Sequence, residues 1–319
     1  MRKASIFVMI GFLFGGLTAC AGHASLASPT NEANNPAPVI DATLAPTTLV
    51  SATVPTATPG KTTTLTPTLA PDAWESMPVV PKVNDTTRRI YANGLEFGND
   101  PHALSIVGDC LSLPINLFGI YGKGPGHYNL GEYTYLQPVI DWFVDSFNRQ
   151  SVTLGDGFNT AAVLSPLRAD PKRCQPDETP LVCEYRIYHP SYSLISLGTD
   201  DNKISPELYE QRMRLIVEYT ISQGIVPILS TKADDREGNN AFNRVVARLA
   251  YEYDIPLWNF WAAVQKLYKK GVANDRGWLT VGDGPSRLDL PDSMQYAIPI
   301  RNVTALQTLD SLWRGLTGS

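Results

Sequence analysis

The chain has 319 residues, 43% of them hydrophobic and 18% charged, which is enough apolar material for one full core over part of its length. A formal charge of −5 removes the electrostatic basis for binding nucleic acid, which needs a basic surface. His23, His102, His127 and His189 are the only histidines, so few imidazoles are available to act as bases or metal ligands.

The N-terminus reads as an export signal. Arg2 and Lys3 precede an apolar run over residues 6–17 that is too short to span a bilayer. The run ends Leu17-Thr18-Ala19-Cys20, which resembles a bacterial lipoprotein box, where the cysteine is lipidated and becomes the mature N-terminus. Residues 1–20 are therefore expected to be a signal peptide. The protein is expected to be exported and held on the outer face of the bacterial cell membrane by acyl chains on Cys20, each buried methylene adding about 0.8 kcal/mol. Residues 21–82 are rich in Thr, Pro, Ala and Ser and poor in aromatics, as in Pro55-Thr56-Ala57-Thr58-Pro59. Such a stretch cannot bury enough apolar surface to offset its chain entropy, and it reads as an extended spacer.

Residues 83–319 alternate strand-like and helix-like patterns. The predicted strands are residues 103–107, 152–154, 194–197, 225–229 and 255–260. A helix is predicted over residues 136–147. Another begins where Ser205 can cap and Pro206 fits the first turn, with Met213, Ile216, Val217, Thr220 and Ile221 on one face and Gly224 past its end. Phe242, Val245, Val246, Leu249 and Tyr253 mark a further helical face, and residues 302–316 a last helix. This order predicts an α/β domain, a doubly wound parallel sheet of flavodoxin-like type between two helix layers (α/β/α). Cys174 and Cys183, in an exported and oxidising setting, flank a short Pro-containing loop and are expected to form a disulfide contributing about 2–3 kcal/mol.

In such sheets ligands bind beyond the carboxyl ends of the strands. Gly108-Asp109-Cys110, Gly198-Thr199-Asp200-Asp201 and Thr231-Lys232-Ala233-Asp234-Asp235 all fall there, and Asp283-Gly284-Pro285-Ser286 lies near the C-terminus. The ordered set resembles the SGNH (GDSL-like) family of serine esterases and acyl hydrolases. The resemblance implies a nucleophile at Cys110, oxyanion donors at Gly155 or Gly157 and at Asp200, and a triad acid and base at Asp283 and Ser286. The family has Ser, Asn and His where this chain has Cys110, Asp200 and Ser286. Asp109, Asp201, Asp234 and His127 are placed at the cleft rim, His127 in a Gly-rich loop that is able to fold over it.

Each departure has a chemical meaning. A thiol is intrinsically more nucleophilic than a hydroxyl, and a helix beginning after Cys110 would lower its pKa whereas ionised Asp109 would raise it. An ionised Asp200 only accepts hydrogen bonds and would repel an oxyanion. Ser286 cannot serve as the base. The sequence thus implies a surface lipoprotein, weakly active or inactive as a hydrolase and acting in ligand binding. The alternatives are an esterase on cell-wall glycan or other esters with Cys110 as nucleophile, and a thiol-trapping role for Cys110. Ligands of ester or glycan type and the membrane are the expected partners, without nucleic acid. No metal or organic cofactor is indicated, since residues 122–126 lack the Walker spacing and Asp234, Asp235 and Glu237 have no histidine nearby.

Overall fold

The computed structural model describes residues 69–282 and 286–318. Cys20, the expected signal peptide, most of the expected spacer and Asp283 lie outside the described residues. Four parallel strands form one sheet in the order β1-β2-β3-β4: β1 (Asp100–Gly108), β2 (Pro190–Ser196), β3 (Val226–Ser230) and β4 (Leu257–Trp258). Leu104 to Gly108 pair in register with Tyr192 to Ser196, Tyr192 to Ile195 with Val226 to Leu229, and Leu229 and Ser230 with Leu257 and Trp258. The central strands are buried nearly throughout because both faces are covered.

Helices α1 (Asp85–Glu96), α2 (Gln137–Phe147), α3 (Thr160–Val163), α4 (Pro180–Tyr188), α5 (Pro206–Ser222), α6 (Ala241–Tyr253), α7 (Phe260–Val264) and α8 (Ala297–Thr317) flank the sheet. Helix α5 packs on α6 and β3, and α8 packs on α2, α7 and β4. Local signals start these helices. Ser205 accepts from the Leu208 N–H at 3.3 Å with Pro206 in the first turn, and Thr179 accepts from Val182 N–H at 3.2 Å with Pro180 following. Helix α8 begins at Ala297, five residues before the expected start at Asn302, where Thr280 Oγ1 accepts from the Ala297 N–H.

Three expectations are corrected. The strand expected over residues 152–154 does not form; only a single parallel bridge joins Leu154 to Gly108. The outer edge of β1 is satisfied by side chains instead. Ser146 Oγ accepts from Leu104 N–H at 3.0 Å, Arg149 donates to the Leu104 carbonyl at 2.7 Å, and Thr153 Oγ1 donates to the Ile106 carbonyl at 2.7 Å. Buried Glu184 organises this edge, pairing with Arg149 at 2.7 Å and accepting from Val152 N–H and Ser105 Oγ. The strand expected over residues 255–260 shrinks to Leu257–Trp258, because Asn259 caps α7 by accepting from Ala262 N–H and Phe260 is already helical.

The third correction concerns the spacer. The packed chain starts by residue 69 rather than 83. Trp74 is buried with its ring 4.7 Å from that of Trp261, and Asn259 donates to the carbonyls of Trp74 and Met77. Leu69, Met77 and Val79 pack against the core alongside Trp74, and the carbonyls of Val79 and Pro81 accept from Asn259 N–H and Ser311 Oγ, so apolar side chains and backbone bonds together hold this segment on the domain. Cys174 and Cys183 are joined in a disulfide. No described helix is long and apolar enough to cross a membrane.

Candidate functional site

Because all four strands are parallel, Gly108, Ser196, Ser230 and Trp258 end at one edge of the sheet, and the loops that follow them meet there. β1 is the edge strand, with β2 on one side and only the single Leu154 bridge on the other. Ligands of open parallel sheets bind beyond the carboxyl ends of the strands, and Cys110 follows β1 directly there. A cleft of ≈ 190 Å³ lies here, lined by Cys110, Thr199, Asp200, Arg236, Arg276 and Trp278. Cys110 is 6% exposed and sits on a single 3-10 turn, Cys110–Ser112, capped by Asp109, which accepts from Leu111 N–H at 2.9 Å. Only this short turn, and no longer helix, begins at Cys110. Asn116 Nδ2 donates to the Cys110 carbonyl at 2.9 Å and fixes the turn.

Three acids expected on the rim are buried beneath it, Asp109 at 3%, Asp201 at 2% and Asp234 at 4% exposure. Asp109 caps its own turn, and the other two clamp loops together. Asp201 accepts from the Thr160 N–H and, at 2.5 Å, from Thr160 Oγ1. Asp234 accepts from Thr199 Oγ1 and pairs with Lys232 at 2.8 Å, while Lys232 also meets Glu237 at 2.6 Å. Buried polar groups demand such partners, which is why an acidic run at a strand end here forms a scaffold rather than a rim.

A separate void of ≈ 10 Å³, about the size of one water, is lined by Asp109, Ser196, Thr231, Asp234 and Arg301 among others. Arg301, from α8, is fully buried and donates to the Leu111 carbonyl, to Ser112 Oγ at 3.1 Å and to Ser196 Oγ at 3.0 Å. Burial lowers its pKa to about 10, offset by the charge of Asp109. Asp109 is pushed up to about 7, first by burial and then by the Asp200 charge, with Arg301 and the Leu111 N–H opposing. Asp200 is also raised, chiefly by burial and against the pull of Arg236. Burial raises Asp201 too, against its hydrogen bonds from Thr160.

The other expected site residues do not join Cys110. Ser286 lines a separate hollow with Asn116, Phe118, Ile298 and Asn302. His127 is exposed on a loop tied to that hollow through Asn129, whose N–H donates to the Ser286 carbonyl at 2.9 Å. Gly155 and Gly157 lie outside the Cys110 cleft. The carboxylate of Asp156 between them is close enough to raise Asp200. Among the described residues, His102, His127 and His189 all lie away from the cleft; His102 stacks on Trp142 near the opposite end of β1. One group of described side chains has metal-ligand spacing, Cys174, Glu178 and Cys183, and the disulfide occupies both of its sulfurs.

Arg236, Arg276 and Trp278 were not singled out by the sequence. Arg236 follows β3 by six residues and was open to the same strand-end logic. Arg276 and Trp278 are carried in by a turn far along the chain, for which no local pattern exists. No protein-family model matches the chain, and no curated protein matches it.

Proposed function

We propose that this is a doubly wound, flavodoxin-like α/β/α domain of SGNH-hydrolase type whose chemical positions have been exchanged. It is weakly active or inactive as an esterase and serves in ligand binding at the cell surface, tethered by lipid on Cys20. Support comes from the crevice at the carboxyl ends of a parallel sheet, with Cys110 and Asp200 on the two loops that the resemblance assigns to chemistry. The observation that carries the reading is Asp200 beside Cys110 in a cleft that no described imidazole reaches. A carboxylate where an amide should donate forfeits a factor of about 10²–10³, and loss of the base forfeits on the order of 10⁶.

The alternative, a cysteine esterase acting on glycan or other esters, is favoured by one observation, that Cys110 lines the cleft. Single-turnover acylation of Cys110 by p-nitrophenyl acetate, read by mass spectrometry, tests the assignment. Asp200→Asn is expected to acylate at least tenfold faster, since the amide donates where the carboxylate repels. Equal or slower acylation in a folded Asp200→Asn variant contradicts the reading.

A further inference from the structure

The mouth of the Cys110 cleft carries a side-chain set that ester chemistry does not explain. Arg236 donates through Nη1 to the Thr199 carbonyl at 2.8 Å and stands 4.0 Å from Asp200. That bond fixes one corner of the guanidinium, and its other N–H donors have no partner among the described residues. Arg276 is exposed, and its guanidinium makes no hydrogen bond or ion pair among the described residues.

The backbone that presents Arg276 is nevertheless well defined. Val272 bridges Leu279, the Arg276 N–H donates to Asn274 Oδ1 at 3.0 Å, and the Gly277 N–H donates to the Asn274 carbonyl at 3.1 Å. Gly277 has φ +81°, and a Cβ there would lie 3.0 Å from Thr199, 3.1 Å from Asp234 and 3.2 Å from Arg236. The turn is therefore seated directly on the loops after β2 and β3, which brings Arg276 and the half-buried Trp278 to the cleft. In a protein of net charge −5, two guanidiniums with unspent donors meet beside one indole.

We propose that this cleft binds a single saccharide ring bearing an oxyanion, carboxylate or phosphate, with Arg236 and Arg276 on the anion and Trp278 against the ring. The planar guanidinium fork matches both oxyanions, and the aromatic wall supplies an apolar face for the ring. The volume of ≈ 190 Å³ is below that of a drug-sized pocket and suits one ring. Asp200, 4.0 Å from Arg236, remains at the wall as an acceptor for a sugar hydroxyl. This rests on the reading of the cleft as a ligand site. The ester assays test that reading without any sugar, so the two fail separately.

The test is calorimetric titration of the full-length protein at low ionic strength with glucuronate, glucose 6-phosphate and glucose. At least one anionic sugar is expected to bind about tenfold or more tightly than glucose, and the comparison of the two tells carboxylate from phosphate. Arg276→Ala is expected to weaken that binding about tenfold while leaving the melting temperature unchanged, and added salt is expected to weaken it in the wild type. Equal affinity for glucose, no binding of any of the three, or an Arg276→Ala variant that binds as the wild type does would each overturn the proposal.

Discussion

Asp109→Asn should remove a pH-dependent burden from the folded state. Asp109 is 3% exposed, and its pKa rises from 3.8 to about 7. In the unfolded chain the carboxyl ionises near its ordinary value, whereas in the folded domain it keeps its proton until about pH 7. Between those values the folded state holds one more proton, so stability falls as pH rises from about 4 to about 7 and is level above. At 1.36 kcal/mol for each unit, the loss amounts to about 4 kcal/mol. Asn cannot ionise, and its Oδ1 can still accept from the Leu111 N–H. Arg301 does not change the sign, because at acid pH the wild-type Asp109 is already neutral beside it. Urea unfolding of both proteins between pH 4.5 and 8 reads the effect. The variant's stability relative to wild type is expected to climb across this window by about 3 kcal/mol. A difference that does not vary with pH would refute the placement of Asp109 as a buried, mostly protonated acid.

Other elements of the fold give independent checks. Glu184→Ala leaves Arg149 without its buried partner and strips acceptors from Val152 and Ser105; a loss of about 3–5 kcal/mol is expected in chemical denaturation. Replacing Cys174 and Cys183 together by Ser should reduce stability by about 2–3 kcal/mol through the freed loop of the unfolded chain, read as a fall in melting temperature. Gly94→Ala would set a Cβ 2.0 Å from the Gly224 carbonyl oxygen, separating α1 from the turn before β3. Calorimetry should show a clear loss of stability, above the few tenths of a kcal/mol expected of surface changes.

The sheet was legible where a strand is buried on both faces. Residues 194–197 and 225–229 are short, mostly apolar and almost wholly buried runs, and such runs read as strands whatever their neighbours do. Ser205-Pro206 starts a helix by local hydrogen bonding, so the sequence suffices there too, whereas the helix that starts at Thr179-Pro180 reads from the sequence as part of a loop. Residues 152–154 fail as a strand for a reason no local window holds, since Ser146, Arg149 and Thr153 take up the edge of β1 that a strand would have used. Within the site, the positions of Cys110 and Asp200 followed from the strand ends. The burial of Asp109, Asp201 and Asp234 did not, because the groups that compensate it, the Arg301 charge, Thr160 and Thr199, approach from distant parts of the chain. Arg276 and Trp278 were hidden for the same reason, their turn being seated on Thr199 and Asp234 by contacts across many residues.

Steady-state hydrolysis of p-nitrophenyl acetate by the full-length protein, with wild type beside Cys110→Ala, tests the central claim most directly. The expected result is a rate close to buffer and equal in the two proteins. A rate well above buffer that vanishes in Cys110→Ala would contradict the account and make the protein a cysteine esterase.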